Sequence, residues 1–123
     1  MVLRKKELFM RNKKTHGVTI KKKLSKCKLI FYAYNDLQYK YGCQLDVDSD
    51  IAEIKCNVPI NKCELGDSYT TDFYCIKTNG DIFVRECVYK DKLLKPLTIK
   101  MLDASRNYWL SMGISDWGII LEN

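Results

Sequence analysis

Glu86 stands in the middle of FVRECVYK (83–90), with Val84 and Val88 flanking it on alternate positions. Apolar and charged residues alternate along this stretch, which reads as a β-strand whose side chains share a face every second residue. One face of that strand therefore sets a carboxylate between two valines. A carboxylate so placed is costly unless something pairs with it. A metal ion, a lysine or solvent would each serve, and each implies a different chemistry. Asp72, in TTDFYC (70–75), is the second carboxylate of interest, because an Asn79-Gly80 turn makes its segment the other arm of a predicted hairpin.

The elements that must position these groups follow from pattern. In LIFYAYNDLQYKYGCQL (29–45), Ile30, Tyr34, Leu37, Tyr41 and Leu45 recur at helical steps, with Gly42 as a weak point. The acidic run Asp46–Asp50 ends that helix, and Ile51–Ile60 reads as a strand closed by Pro59. Asn61–Asp67 reads as a loop, Tyr69–Thr78 and Asp81–Lys90 as the hairpin, and Lys92–Pro96 as a second loop. Leu97–Met112 is a predicted helix with Ile99, Leu102, Arg106 and Trp109 near one face, stopped by Gly113. Trp117–Leu121 is a short apolar run, expected to be a buried strand. The expected order is helix, three strands, helix, strand, in one α/β domain over 29–123.

Charge is unevenly spread. The chain of 123 residues is +6 overall, but residues 1–28 hold eleven Lys/Arg against Glu7, and the remainder is net negative. The basic character thus belongs to an N-terminal tail, expected to be partly flexible and suited to DNA or RNA through counterion release. A merely solvated terminus is the plainer alternative. No stretch approaches the ~20 apolar residues of a membrane span, and no apolar signal-peptide core follows the first charges, so an intracellular, cytoplasmic setting is expected. Cys27, Cys43, Cys56, Cys63, Cys75 and Cys87 contain no CxxC pair and read as free thiols. Their spacing, with His16 as the single histidine, does not suit zinc.

The predicted element order is that of the PD-(D/E)XK nucleases, a restriction-endonuclease-like core with a mixed sheet flanked by helices. In that class an Asp on one hairpin strand and a Glu-x-Lys on the next hold Mg²⁺, and a helix Glu often assists. More specifically, DLQYKYGCQLDVDSDIAEIKCNVPI (36–60), TTDFYC and LTIKMLDASRNYWLSMGISDWGIILEN (97–123) resemble the TnsA family, the endonuclease subunit of heteromeric bacterial transposases. The Arg-x-Tyr-Trp helix followed by a Trp-containing strand is the most specific part, and the resemblance spans roughly residues 34–123. It implies Asp72 and Glu86 as ligands of Mg²⁺ or Mn²⁺. Gln38 stands where the family has its helix Glu, and Val88 stands where it has the catalytic lysine. Gln38 can still offer a carbonyl oxygen to metal.

Lys90, on the predicted strand face of Glu86, is the substitute lysine by this reading, ahead of Lys40, Arg85 and Arg106. Lys21, Lys22, Lys23, Lys90, Lys92 and Lys95 are the expected DNA contacts, with a solvated rim as the bland alternative. Asp72 as a turn cap, Glu86 as an ion-pair partner of Lys90 or Arg106, and Tyr108, Trp109 and Trp117 as core aromatics are the structural alternatives. Two function classes follow. One is a metal-dependent DNA endonuclease nicking at transposon ends beside a separate transposase. The other is a non-catalytic DNA-binding and assembly subunit. The family's second domain, which contacts a regulatory ATPase, is expected to be absent.

Overall fold

The structure is a computed structural model and describes residues 19–60 and 69–122. The expected loop at 61–67, the first eighteen tail residues, Cys63 and His16 lie outside the described residues. The described elements run β1 (Ile20–Lys22), β2 (Phe31–Ala33), α1 (Asp36–Asp46), β3 (Ile51–Pro59), β4 (Thr70–Lys77) and β5 (Ile82–Cys87). A 3₁₀ turn (Lys90–Lys92), α2 (Pro96–Ser111) and β6 (Trp117–Ile120) complete them. The main sheet has strand order β3-β4-β5-β6, antiparallel across β3, β4 and β5 and parallel between β5 and β6. A parallel neighbour requires a crossover, and α2 is that crossover. The fold is therefore α/β, a mixed four-stranded sheet flanked by helices.

Strand alternation divides the core. Phe73, Cys75, Phe83 and Cys87 pack with Leu37 and Leu45 of α1. Tyr74, Ile82 and Val84 pack with Met101, Ala104 and Trp109 of α2. No described helix is long and apolar enough to cross a membrane.

Two expectations are corrected and one is made more specific. The first helix does not begin near residue 29. Phe31 and Ala33 are buried with Tyr32 exposed between them, a two-residue period, and this stretch pairs with β1. The helix begins after Asn35, whose Oδ1 accepts the Gln38 backbone N–H at 2.8 Å as an N-cap.

Second, within the expected partly flexible tail over 1–28, residues 20–28 pack onto the domain. Leu24 is fully buried, the Ile54 N–H donates to the Lys26 carbonyl at 3.0 Å, and Asp46 accepts from the Ser25 and Lys26 amides. The segment covers the outer edge of β3, which would otherwise present unpaired backbone groups.

Third, β5 ends at Cys87, so Lys90 sits in the 3₁₀ turn and not on the strand face of Glu86.

The helix over 96–111 and the Asn79-Gly80 turn are as expected, with Gly80 and Gly113 both at positive φ. The buried stripe of α2 is Met101, Leu102, Ala104, Ser105 and Trp109, whereas Ile99 and Arg106 face out. The strand β6 is an edge strand, so its Ile119 stays partly exposed instead of fully buried.

Gly42 has a packing reason. A Cβ there would lie 2.6 Å from Phe31 Cε2 and 3.3 Å from Phe73 Cζ. Both rings are fully buried and tilted against each other, with centroids 5.7 Å apart. Alanine would gain about 1 kcal/mol of helix propensity, but overpacking costs about 1–3 kcal/mol. Gly42→Ala is expected to lose a net ~0–2 kcal/mol of stability, read as a lowered urea midpoint. A raised midpoint would show that Phe31 yields freely.

Candidate functional site

The register of the sheet sets three polar side chains level with one another. On β3, Asn57 lies between the pairs Cys56↔Phe73 and Val58↔Thr71, level with Asp72 of β4. On β5, Glu86 follows the pair Phe73↔Arg85 and is therefore opposite Asp72. Asp72 is 2% exposed and Glu86 is 0% exposed. Like charges directly opposite on a sheet repel, so their burial requires donors.

Those donors come first from the backbone. The Asp72 N–H donates to Glu86 Oε1 at 3.0 Å, and the Cys87 N–H donates to Asp72 Oδ2 at 2.8 Å. Each strand thus binds the other's carboxylate where carbonyls would otherwise accept. The two remaining oxygens are reached from the helices. Ser105 of α2 donates its hydroxyl to Glu86 Oε2 at 2.7 Å and accepts from the Trp117 indole N–H at 3.0 Å. Gln38 of α1 donates from Nε2 to Asp72 Oδ1 at 3.5 Å and to Asn57 Oδ1 at 2.9 Å. Bonds to ionised acceptors are roughly twice as strong as neutral ones. One connected network therefore ties β3, β4, β5, β6 and both helices together.

The orientation of Gln38 is fixed. Its Oε1 accepts the Tyr34 backbone N–H at 2.8 Å. An amide oxygen must occupy that place, so the NH₂ faces Asp72. Asn57 holds the other side. Its backbone has φ +53°, a left-handed conformation that Asn tolerates better than most residues. From there its Nδ2 donates to the Tyr32 carbonyl at 2.8 Å, which turns Oδ1 toward Gln38. Trp109 adds a further buried bond, donating to Thr71 Oγ1 at 2.7 Å.

Beside Glu86 lies a cleft of about 170 Å³. Val88, Asn35, Tyr89, Lys92 and Lys95 are among its walls, and Asp72 is not. Glu86 forms part of this wall although bulk water does not reach it. Val88 thus stands beside Glu86 as the sequence suggests, and among the described residues Lys92 and Lys95 are the cations at the cleft.

Lys90 is exposed, and its backbone N–H donates to Glu122 at 2.8 Å. Lys40 and Arg106 are exposed, and Arg85 pairs with Asp116 at 2.9 Å. Lys21 and Lys22 belong to the cover beside β3, as does Lys23, whose Nζ donates to the Cys27 carbonyl. They are not among the residues that line the cleft.

For Mg²⁺ or Mn²⁺, which prefer oxygen ligands, this donor set does not fit as arranged. Asp72 and Glu86 supply oxygens, but Gln38 turns its nitrogen toward Asp72, and both carboxylates are closed to solvent. Among the described residues, no group of three or more His, Cys, Asp or Glu side chains converges.

Sequence reasoning found Asp72, Glu86 and Gln38 and missed Ser105 and Asn57. Ser105 had a signal, since it sits one helical turn before Trp109 on the apolar stripe, where a hydroxyl needs a partner. Asn57 had a weaker one, as Asn is depleted inside strands. Compared with known proteins, the chain matches no family model and no curated protein.

Proposed function

We propose that the chain is a TnsA-like subunit of a DNA transposition machinery that holds DNA without cutting it. Its core is of the PD-(D/E)XK type, and its carboxylate pair serves as an internal clamp. The observation that carries this reading is the Gln38 amide, which donates toward Asp72 while its oxygen is held by the Tyr34 N–H. Among the described residues, Gln38 thus presents a donor to Asp72 where an oxygen ligand would face a metal. The mixed sheet with a helix on each face is compatible with that core.

DNA contact falls to Lys92 and Lys95 at the cleft, with Lys90 near it and Lys21, Lys22 and Lys23 as a separate basic patch. A separate transposase and a regulatory ATPase are the protein partners in this scheme.

Binding and nicking of supercoiled DNA, with Mg²⁺ or Mn²⁺ and with the transposase present, test the reading. The protein is expected to bind DNA and leave it intact. Lys92→Ala and Lys95→Ala are each expected to weaken binding across sequences and to reduce the salt slope by about 1. Lys90→Ala is expected to have a smaller effect, because Lys90 is not part of the cleft wall. Equal effects at all three lysines would mean that the cleft has no special role.

A second reading, a metal-dependent endonuclease acting on phosphodiester bonds at transposon ends, is favoured by one observation. Asp72 and Glu86 stand level on neighbouring strands, and a carboxylate oxygen can accept more than one partner. Nicking that Asp72→Asn abolishes would establish this reading over the first.

A further inference from the structure

Cys27 and Cys56 bring their sulfur atoms within 3.5 Å of each other. They come from separate parts of the chain. Cys27 ends the cover segment over β3, and Cys56 lies on β3 itself. The bond from the Ile54 N–H to the Lys26 carbonyl fixes the two segments beside one another. Both cysteines line an open groove of about 420 Å³, together with Lys28, Glu53 and Lys55. A small solute therefore has a path to the pair.

We propose that Cys27 and Cys56 form an oxidation site, which a hydroperoxide converts to an intramolecular disulfide. The sulfurs must approach by about 1.5 Å to reach a bond of about 2.05 Å, a movement within the reach of side-chain rotation. The Cys27 thiolate attacks one peroxide oxygen. The O–O bond breaks, the other oxygen leaves with a proton as water or alcohol, and Cys27 becomes a sulfenic acid. The Cys56 sulfur then attacks Cys27, an S–S bond forms, and hydroxide leaves with the Cys56 proton as water. Two electrons pass from the two thiols to the peroxide.

The local chemistry agrees with this division of roles. The hydrogen bond with Cys56 holds the Cys27 thiol below its ordinary range, against burial and the Asp46 carboxylate, with Lys23 nearby. The same hydrogen bond, followed by burial, pushes the Cys56 thiol up, so Cys56 is the slower of the two to attack peroxide, and its proton passes to the departing hydroxide when it resolves the sulfenic acid. Cys75, by contrast, is pushed up to about 12 by burial and is fully enclosed. Oxidation would close a ring containing β2 and α1 and fasten the cover segment, with Lys21–Lys23, onto the edge strand. This inference does not depend on the DNA reading.

The test is a peptide map of the native chain under non-reducing conditions, after graded hydrogen peroxide and alkylation of the remaining thiols. The expected first product is a Cys27–Cys56 linked peptide, formed within one chain and cleaved by dithiothreitol. A Cys56→Ser chain is expected to accumulate a dimedone adduct on Cys27. First oxidation at Cys43, a bridge between chains, or sulfenic acid on Cys27 that never resolves would each overturn the proposal. The map needs no variant, so a misfolded Cys56→Ser chain would not protect it.

Discussion

Glu86→Ala is expected to destabilise the protein by about 2–4 kcal/mol, and Glu86→Gln by about 1 kcal/mol or less. The difference follows from what each change leaves behind. Alanine removes the acceptor of the Asp72 N–H and of the Ser105 hydroxyl, both inside the core. Ser105 can turn back to a carbonyl of its own helix. The Asp72 amide has no such freedom, because β4 holds it in place. A buried donor without a partner costs about 1–3 kcal/mol, and the vacated volume adds to that. Removing one of two facing carboxylates relieves repulsion, which lowers the total. Glutamine keeps the acceptor for Asp72 and presents an NH₂ to Ser105 Oγ, so the network survives without the charge. Urea midpoints of the two variants measure the difference. A glutamine variant as unstable as the alanine one would show that the charge itself is held by a cation. Nicking in the wild type that Glu86→Gln abolishes would point the same way.

The parts of the fold legible from sequence were those with a local cause. The Asn79-Gly80 hairpin and the Gly113 helix stop depend on backbone conformations that few residues favour, and both are where the residues put them. The start of α1 was misread because Ile30, Tyr34 and Leu37 fit a helical period by coincidence. The decisive signals were the Asn35 cap and the pairing of Phe31–Ala33 with β1, and that pairing is a tertiary contact. The cover segment was misread for a related reason. Its lysines face solvent and dominate the composition, while a single buried Leu24 and the Asp46 clamp hold it down. At the site, residue types were readable and directions were not. Gln38 looked like an oxygen ligand from its type alone. Only the Tyr34 amide, four residues away and outside the predicted site, shows which end of its side chain faces Asp72. Lys90 looked aligned with Glu86 only while β5 was expected to continue past Cys87.

The largest effect is expected at Gln38. Gln38→Glu changes one atom type in a side chain that is 1% exposed. One glutamate oxygen can still accept the Tyr34 N–H. The other would then face Asp72 Oδ1 and Asn57 Oδ1, where the NH₂ now donates. Asn57 cannot easily turn to help, because its own NH₂ is committed to the Tyr32 carbonyl. Three oxygens would meet where the amide hydrogens now lie, and burying a second carboxylate there, charged or forced to take up a proton, costs about 3–5 kcal/mol. In metal-free buffer the variant is therefore expected to lose about that much stability. Mn²⁺ is the natural remedy, since the change turns a hydrogen-bonded cluster into a set of oxygen ligands. A cation that binds only the folded state raises stability with its concentration. Thermal unfolding with graded Mn²⁺ should thus rescue Gln38→Glu and leave the wild type unmoved. Equal Mn²⁺ stabilisation of both proteins would show that the wild-type carboxylates already take metal, and the clamp reading would give way to the endonuclease. A variant as stable as the wild type without metal would show that the Gln38 amide contributes nothing to holding Asp72.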